Sequence, residues 1–247
     1  MASLNITKHI PNFFTLMNIA CGFVAVAFAF QSDFLLALYF IVAASFFDFV
    51  DGGVARLLHA QSEVGKQLDS LCDVVSFGVA PGVVLFSMMR HALNVSIPLD
   101  FAAMSVKDIL LLTSMILVPA FSALRLAKFN VDTRQTSSFI GLPVPANALL
   151  IASLGALLFL SPAYWLKELL INPYVLLSIA VIQSYLLVSP LPMFALKFKN
   201  LKWKDNYLQF VFLALVLALL IFTGLAGIAL SIYLYILISL IVYLIGR

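Results

Sequence analysis

Charged side chains are scarce in this sequence. Asp, Glu, Lys and Arg together make up 10% of its 247 residues, against about 25% in a soluble domain. So few charges cannot cover a water-facing surface, and 64% of the chain is hydrophobic, with a mean hydropathy of +1.12. A water-soluble domain is excluded, and lipid is the main solvent. The net charge of +3 is too small to point to nucleic acid; where the cations sit matters more than their sum. Cysteine is nearly absent. Cys21 and Cys72 both lie in apolar stretches, which excludes a secreted disulfide framework and leaves two small packing residues. There is no low-complexity segment, soluble domain or clear internal repeat. A cleaved leader is also disfavoured. Asn18 stands where a lipoprotein cleavage site takes a large aliphatic residue, and many apolar runs follow, so the first run reads as a retained transmembrane helix.

What is present is a series of apolar runs, each near the roughly 20 residues that a bilayer core of about 30 Å requires. Eight spans are expected, at about 11–31, 34–57, 66–89, 108–130, 143–161, 171–189, 206–223 and 225–246. The expected fold is therefore all-α, a polytopic membrane helical bundle, with a short interfacial helix at residues 2–10 ahead of Pro11. From Tyr207 to Gly246 no side chain except tyrosine is ionisable. That run is too long for one helix, and Thr223-Gly224 or Gly227 is the expected turn. Eight spans put both termini on one side. If that side is cytoplasmic, 11 basic residues lie inside and three outside, the latter being Arg90, Lys107 and Lys167. The positive-inside rule supports both the count and the orientation.

A carboxylate within a span costs about 2.5–3.5 kcal/mol on insertion scales and marks function by default. Asp48 and Asp51 are three residues apart, Asp69 and Asp73 four apart, so each pair shares a helix face. The segment between the two helices is short, which makes them antiparallel neighbours whose carboxylates converge near the cytoplasmic end. Clustered carboxylates repel one another, and divalent cations relieve that repulsion. Hard oxygen ligands suit Mg²⁺ or Mn²⁺, and two such ions form the clamp used in phosphoryl chemistry. On spacing alone a second reading stands beside this one: a structural or proton-relay cluster, as in an ion-coupled transporter.

The flanking residues separate the two. Asp48-Phe49-Val50-Asp51-Gly52-Gly53-Val54-Ala55-Arg56 is followed after eight residues by Gly65-Lys66-Gln67-Leu68-Asp69-Ser70-Leu71-Cys72-Asp73. This resembles the signature of the CDP-alcohol phosphotransferase family, D-x2-D-G-x2-A-R-x8-G-x3-D-x3-D, at all eight fixed positions over 26 residues. The resemblance implies a six-helix core, commonly dimeric, in which a divalent metal, expected as two ions of Mg²⁺ or Mn²⁺, assists transfer of a phosphatidyl group. It implies Asp48, Asp51 and Asp69 as metal ligands, and Asp73 as general base and further ligand. It implies donor binding by Asp51, Gly52, Ala55, Arg56 and Gly65. The residue types fit: the glycines and Ala55 leave room for close approach, and Arg56 can grip phosphate oxygens. In helix packing and at membrane interfaces the same residue types also have purely structural uses.

Further segments bear on the acceptor alcohol. Thr15 to Gly22, Ser76 to Pro81, Arg125-Leu126-Ala127-Lys128-Phe129-Asn130 and Phe139 to Ala146 resemble the phosphatidylserine synthase branch of that family. Lys128 and Asn147 depart from that branch's pattern, which has arginine and a small residue there. The resemblance implies CDP-diacylglycerol and L-serine as substrates, with phosphatidylserine and CMP as products. Serine brings a carboxylate that needs a fixed cation, and Arg125 and Lys128 are the candidates. Asn18 and Asn130, polar groups near helix ends, complete the acceptor set. The alternative acceptors are glycerol 3-phosphate, inositol phosphate or an amino alcohol. The domain reading is a membrane core over 1–190, then a basic cytoplasmic loop and two additional helices over 191–247. The expected setting is a bacterial-type inner (cell) membrane, as a homodimer, with both termini and the active site facing the cytoplasm and no nucleic-acid partner.

Overall fold

The computed structural model describes residues 9–131, 139–194 and 203–245. Of the expected interfacial helix at 2–10, residues 2–8 lie outside the described residues and Ile10 already belongs to the first long helix; most of the basic loop after residue 194 also lies outside them. Helix α1, Ile10–Phe30, and α2, Phe34–Leu57, form an antiparallel hairpin. Ser32 turns the chain at φ 67°, and the Asp33 carboxylate caps α2 by accepting the Leu36 N–H at 3.2 Å. Small residues make the contact: Ala25, Ala29, Ala37 and Ala44 are fully buried, whereas Phe23 and Phe49 are 70% and 74% exposed. Close backbone approach inside with large apolar groups outside is the pattern of helices packed in lipid.

Helix α3, Glu63–Asp73, begins at Ser62, whose hydroxyl accepts the Gly65 N–H at 3.0 Å. It runs into a π-helical turn, Val74–Val79, and then α4, Ala80–Ala92; together they form one 30-residue apolar span. The widened turn has a local cause. Pro81 has no N–H to give and would crowd the carbonyl four residues back in a regular α-helix. In the turn, Ala80 instead donates five residues back, to Val75.

Helix α5, Val106–Thr113, starts at a Ser105 cap that accepts the Asp108 N–H at 3.1 Å. A 3-10 turn, Ser114–Ile116, joins it to α6, Leu117–Val131. Helix α7 is Val144–Leu160; α8, Tyr164–Leu170, meets α9, Pro173–Val188, at a bend of 70°. A two-residue antiparallel pair, Phe139–Ile140 (β1) with Pro192–Met193 (β2), joins the start of α7 to the end of α9. Helices α10, Trp203–Thr223, and α11, Leu225–Ile245, form the C-terminal hairpin. Gly224, at φ 56°, is the turn. Gly227 serves packing instead, since a Cβ there would lie 2.6 Å from the Leu219 carbonyl oxygen of α10.

All eight expected apolar runs are helical. Among the described residues, six helices are long and apolar enough to cross a membrane, or seven if the bent α8–α9 pair counts as one span. Helix α7 falls just short at 17 residues. The protein is an all-α integral membrane protein. Two corrections concern edges and breaks. The third run begins at Glu63 and ends at Ala92, beyond the expected 66–89, because Ser62 caps it early. Between the expected fifth and sixth runs lies a further short helix, α8, and Asn172, whose side chain accepts from Tyr174 N at 3.0 Å, starts α9 as a separate helix at an angle to it.

Candidate active site

The antiparallel pairing of α2 with the start of α3 brings Asp48, Asp51 and Asp69 together. One carboxylate oxygen from each lies within 4.8 Å of the other two. Asp51 is buried, and Asp48 and Asp69 are half-buried. Asp51 Oδ2 and Asp69 Oδ1 are buried and have no hydrogen-bond partner. Unpaired carboxylate oxygens at such separations are costly unless a cation completes them. The donor set is all hard oxygen, so the three residues fit a divalent ion of the Mg²⁺ or Mn²⁺ kind.

Asp73 stands one turn beyond Asp69, outside the three-carboxylate group but within electrostatic range of all three members. It is buried at the junction with the π-helical turn. Asn18 of α1 donates from Nδ2 to Asp73 Oδ1 at 3.0 Å. The Asn18 carbonyl in turn accepts from the Ser76 hydroxyl at 3.1 Å. Gly22, one turn further along α1, permits this approach: a Cβ there would lie 2.7 Å from Ser76 Cα and would also strike Ser76 Oγ.

Beside the carboxylates a cavity of about 710 Å³ opens between the first turns of α1, the end of α2 and the start of α3. All five donor-side candidates, Asp51, Gly52, Ala55, Arg56 and Gly65, line it together with Asp69. A Cβ on Gly52 would meet no atom within 4 Å, so this glycine faces open space, whereas one on Gly65 would meet Asn12 Oδ1 at 3.3 Å. Gly52 keeps room for a ligand, whereas Gly65 is hemmed in by the Ser62 cap, whose Oγ would lie 3.1 Å from an added Cβ, and by α1. Arg56 is exposed and anchored by its Nε, which donates to the Gly52 carbonyl at 3.0 Å.

The acceptor-side candidates divide. Arg125 is 8% exposed, lies 5.2 Å from the centre of the Phe129 ring and is within electrostatic range of Asp73. Lys128 is exposed in the last turn of α6. Asn130 is a tether: its Nδ2 donates to Ser70 Oγ at 2.8 Å and its carbonyl accepts from Lys66 Nζ at 3.2 Å. It fixes the end of α6 to the helix that carries Asp69. Sequence reasoning passed over Asn12, Thr15 and Lys66, all of which line the cavity. A signal for the first two was available. Asn12, Thr15 and Asn18 recur every three residues along an otherwise apolar helix, which is a polar stripe on one face.

Fold and site together define a polytopic helical membrane protein that gathers an acidic, metal-type centre and a cavity at one end of its bundle. The sequence model of CDP-alcohol phosphatidyltransferases matches residues 8–188, and the chain belongs to that family and is an enzyme of that kind. Among its relatives is a protein of Helicobacter pylori (strain ATCC 700392 / 26695), 33% identical over 235 residues, covering 87% of this chain and 86% of the relative. A protein of Bacillus subtilis (strain 168) is 33% identical over 138 residues, covering 56% of this chain and 70% of its own. One of Methanocaldococcus jannaschii is 34% identical over 151 residues, covering 61% and 62%. All three are named CDP-diacylglycerol–serine O-phosphatidyltransferase.

Proposed function

We propose that this enzyme transfers the phosphatidyl group of CDP-diacylglycerol to the hydroxyl of L-serine, giving phosphatidylserine and CMP. The observation that carries the reaction is the convergence of Asp48, Asp51 and Asp69 beside the cavity, with Asp73 one turn on and held by Asn18. The naming of the relatives and the buried Arg125 support serine.

Asp48, Asp51 and Asp69, with Asp73 at their edge, would hold divalent metal, Mg²⁺ or Mn²⁺ and two ions on our reading. When bound, the metal offsets charge on the pyrophosphate. The protein's own groups do the rest. Arg56 at the cavity mouth binds donor phosphate oxygens, and Gly52 and Ala55 leave space for the nucleotide. Asn18 occupies Asp73 Oδ1, so Oδ2 receives the proton of the acceptor hydroxyl. The freed oxygen attacks the lipid-bearing phosphorus, the bond to the CMP oxygen breaks, and CMP leaves with that electron pair. Arg125 offers parallel N–H donors to the serine carboxylate.

Counting α7 and α9 as spans gives eight, with the site and both termini cytoplasmic by the positive-inside rule. We read the setting as a bacterial-type inner (cell) membrane, with a homodimer as the expected assembly. The deciding assay follows CMP and lipid product from purified protein supplied with CDP-diacylglycerol, Mg²⁺ or Mn²⁺, and a panel of alcohols. L-serine should support release well above glycerol 3-phosphate, inositol phosphate or ethanolamine. Release with one of those and none with serine would refute the acceptor assignment.

A further inference from the structure

Lys66 lies inside the aspartate signature but is not one of its eight fixed positions. Two observations give it a place in the site. It lines the donor cavity, where Arg56 is the other cation among the lining residues. Its ammonium is also bonded across the bundle, for Nζ donates to the Asn130 carbonyl of α6 at 3.2 Å. That bond has a physical reason. The last four carbonyls of a helix have no partner within it, and they form the negative end of its dipole. Asn130 is the next-to-last residue of α6, so a cation reaching over from α3 completes it.

Ser70 closes the connection. Its hydroxyl accepts from Asn130 Nδ2 at 2.8 Å and donates to the Lys66 carbonyl at 3.2 Å. Lys66, Ser70 and Asn130 thus form a ring of three hydrogen bonds between α3 and the end of α6. Phe129, the residue before Asn130, has its ring 5.2 Å from the Arg125 guanidinium. Further back, α6 packs on the π-helical turn, where a Cβ on Gly78 would lie 3.1 Å from Ser122 Cβ. The stretch from Ser122 to Asn130 is held by packing at one end and by the ring at the other, and Arg125 lies between.

An ammonium carries three donors. One goes to Asn130, which leaves two for an anion in the cavity. Arg56 is anchored within its own helix, so a phosphate bound there alone has no path to α6. Lys66 is an exposed, long side chain, and a phosphate on its ammonium fixes it in place. The rotamer freedom lost at that step is not lost again when the acceptor needs α6 held. We propose that Lys66 couples the two halves of the site: its ammonium bridges a donor phosphate and the Asn130 carbonyl, so that filling the donor cavity fixes the end of α6, and with it Arg125, for the acceptor. Ser70 and Asn130 are positioning residues in that link. The coupling rests on the donor and acceptor roles given above.

The test measures initial rates of CMP release by the full chain over a grid of CDP-diacylglycerol and acceptor concentrations, with the melting temperature of each variant alongside. In the unmutated enzyme, saturating donor should lower the acceptor KM about 5-fold or more. Lys66→Met keeps the apolar stem and removes the ammonium. It should raise the donor KM about 10-fold and make the acceptor KM independent of donor. Ser70→Ala leaves the ammonium at the cavity but opens the ring. At saturating donor it should raise the acceptor KM about 3-fold or more, with the donor KM at low acceptor unchanged. An acceptor KM that ignores donor in the unmutated enzyme, or still responds to it in Lys66→Met, would overturn the proposal. So would a change in Ser70→Ala confined to the donor, and that variant decides alone if Lys66→Met does not fold. The grid is run with whichever alcohol releases CMP. Lack of serine dependence in the unmutated chain refutes the acceptor reading, whereas coupling that survives loss of the ammonium refutes the role of Lys66 alone.

Discussion

Replacing Gly22 with alanine adds one methyl group where α1 crosses the π-helical turn. The new Cβ would lie 2.7 Å from Ser76 Cα, while ordinary contact begins at 3.4 Å, so helix and turn must part by about 0.7 Å. The nearest obstacle includes backbone, so no side-chain rotation relieves it. Asn18 lies one turn before Gly22, and its 3.0 Å bond to Asp73 spans the same crossing. A bond of that length stretched by most of an ångström is effectively lost. Overpacking of this kind costs about 1–3 kcal/mol of stability, and misplacing a reacting group by about 1 Å can cost on the order of 100-fold in rate. Gly22→Ala should therefore lower turnover by about 10- to 100-fold and lower the melting temperature. Gly53→Ala is the matched control, because nothing lies within 4 Å of the added carbon. Within α2 that change should add about 0.5–1 kcal/mol of stability and leave turnover intact. The measurements are CMP release and thermal unfolding in the same detergent. Turnover of Gly22→Ala within twofold of the unmutated enzyme would refute the idea that the crossing sets the position of Asp73.

Asp73→Asn should abolish turnover while donor binding persists, since the amide keeps the acceptor that Asn18 needs but cannot take a proton; near-normal CMP release would remove Asp73 from the chemistry. EDTA should stop the reaction and added Mg²⁺ or Mn²⁺ should restore it, with Asp48→Ala and Asp69→Ala needing more metal than the unmutated enzyme; activity that survives thorough chelation would end the metal reading. Cysteines placed at positions 202 and 167, in a chain lacking Cys21 and Cys72, should label from opposite sides of the membrane. Labelling of both from outside by an impermeant reagent would overturn the eight-span orientation.

The residues legible in the sequence were those whose meaning is local. A carboxylate in an apolar helix is conspicuous wherever it lies, and the spacing of Asp48, Asp51, Asp69 and Asp73 already fixes which face each occupies. The donor wall came with them, because Gly52, Ala55 and Arg56 follow Asp51 within two turns of one helix. What was illegible depends on contacts between distant segments. Asn130 reads as a substrate ligand in sequence, and its partners in the fold are Ser70 and Lys66, 60 and 64 residues away in the chain. The bend at Asn172 turns on one side-chain cap, and hydropathy averaged over a window does not register it. The β1–β2 pair is two residues long on each side and has no periodicity to detect. The polar stripe of Asn12, Thr15 and Asn18 was present in the sequence, but its weight becomes visible only when α1 is seen to close the cavity.

The continuous helical span that carries Asp69 and Asp73 has a consequence for where the lipid must go. Its 30 residues correspond to about 45 Å at 1.5 Å per residue, against a hydrocarbon layer of about 30 Å. Centred in the layer, the span overhangs by roughly 7 Å at each end. Asp69 is six residues in from Glu63, or about 9 Å along the axis, which puts it close to the boundary where phospholipid phosphates reside. The reacting phosphorus of a lipid donor already floats at that depth. Diffusion in the plane of the leaflet is then sufficient to deliver donor and remove product, with both acyl chains remaining in the bilayer throughout and only the small, water-soluble partners crossing the interface.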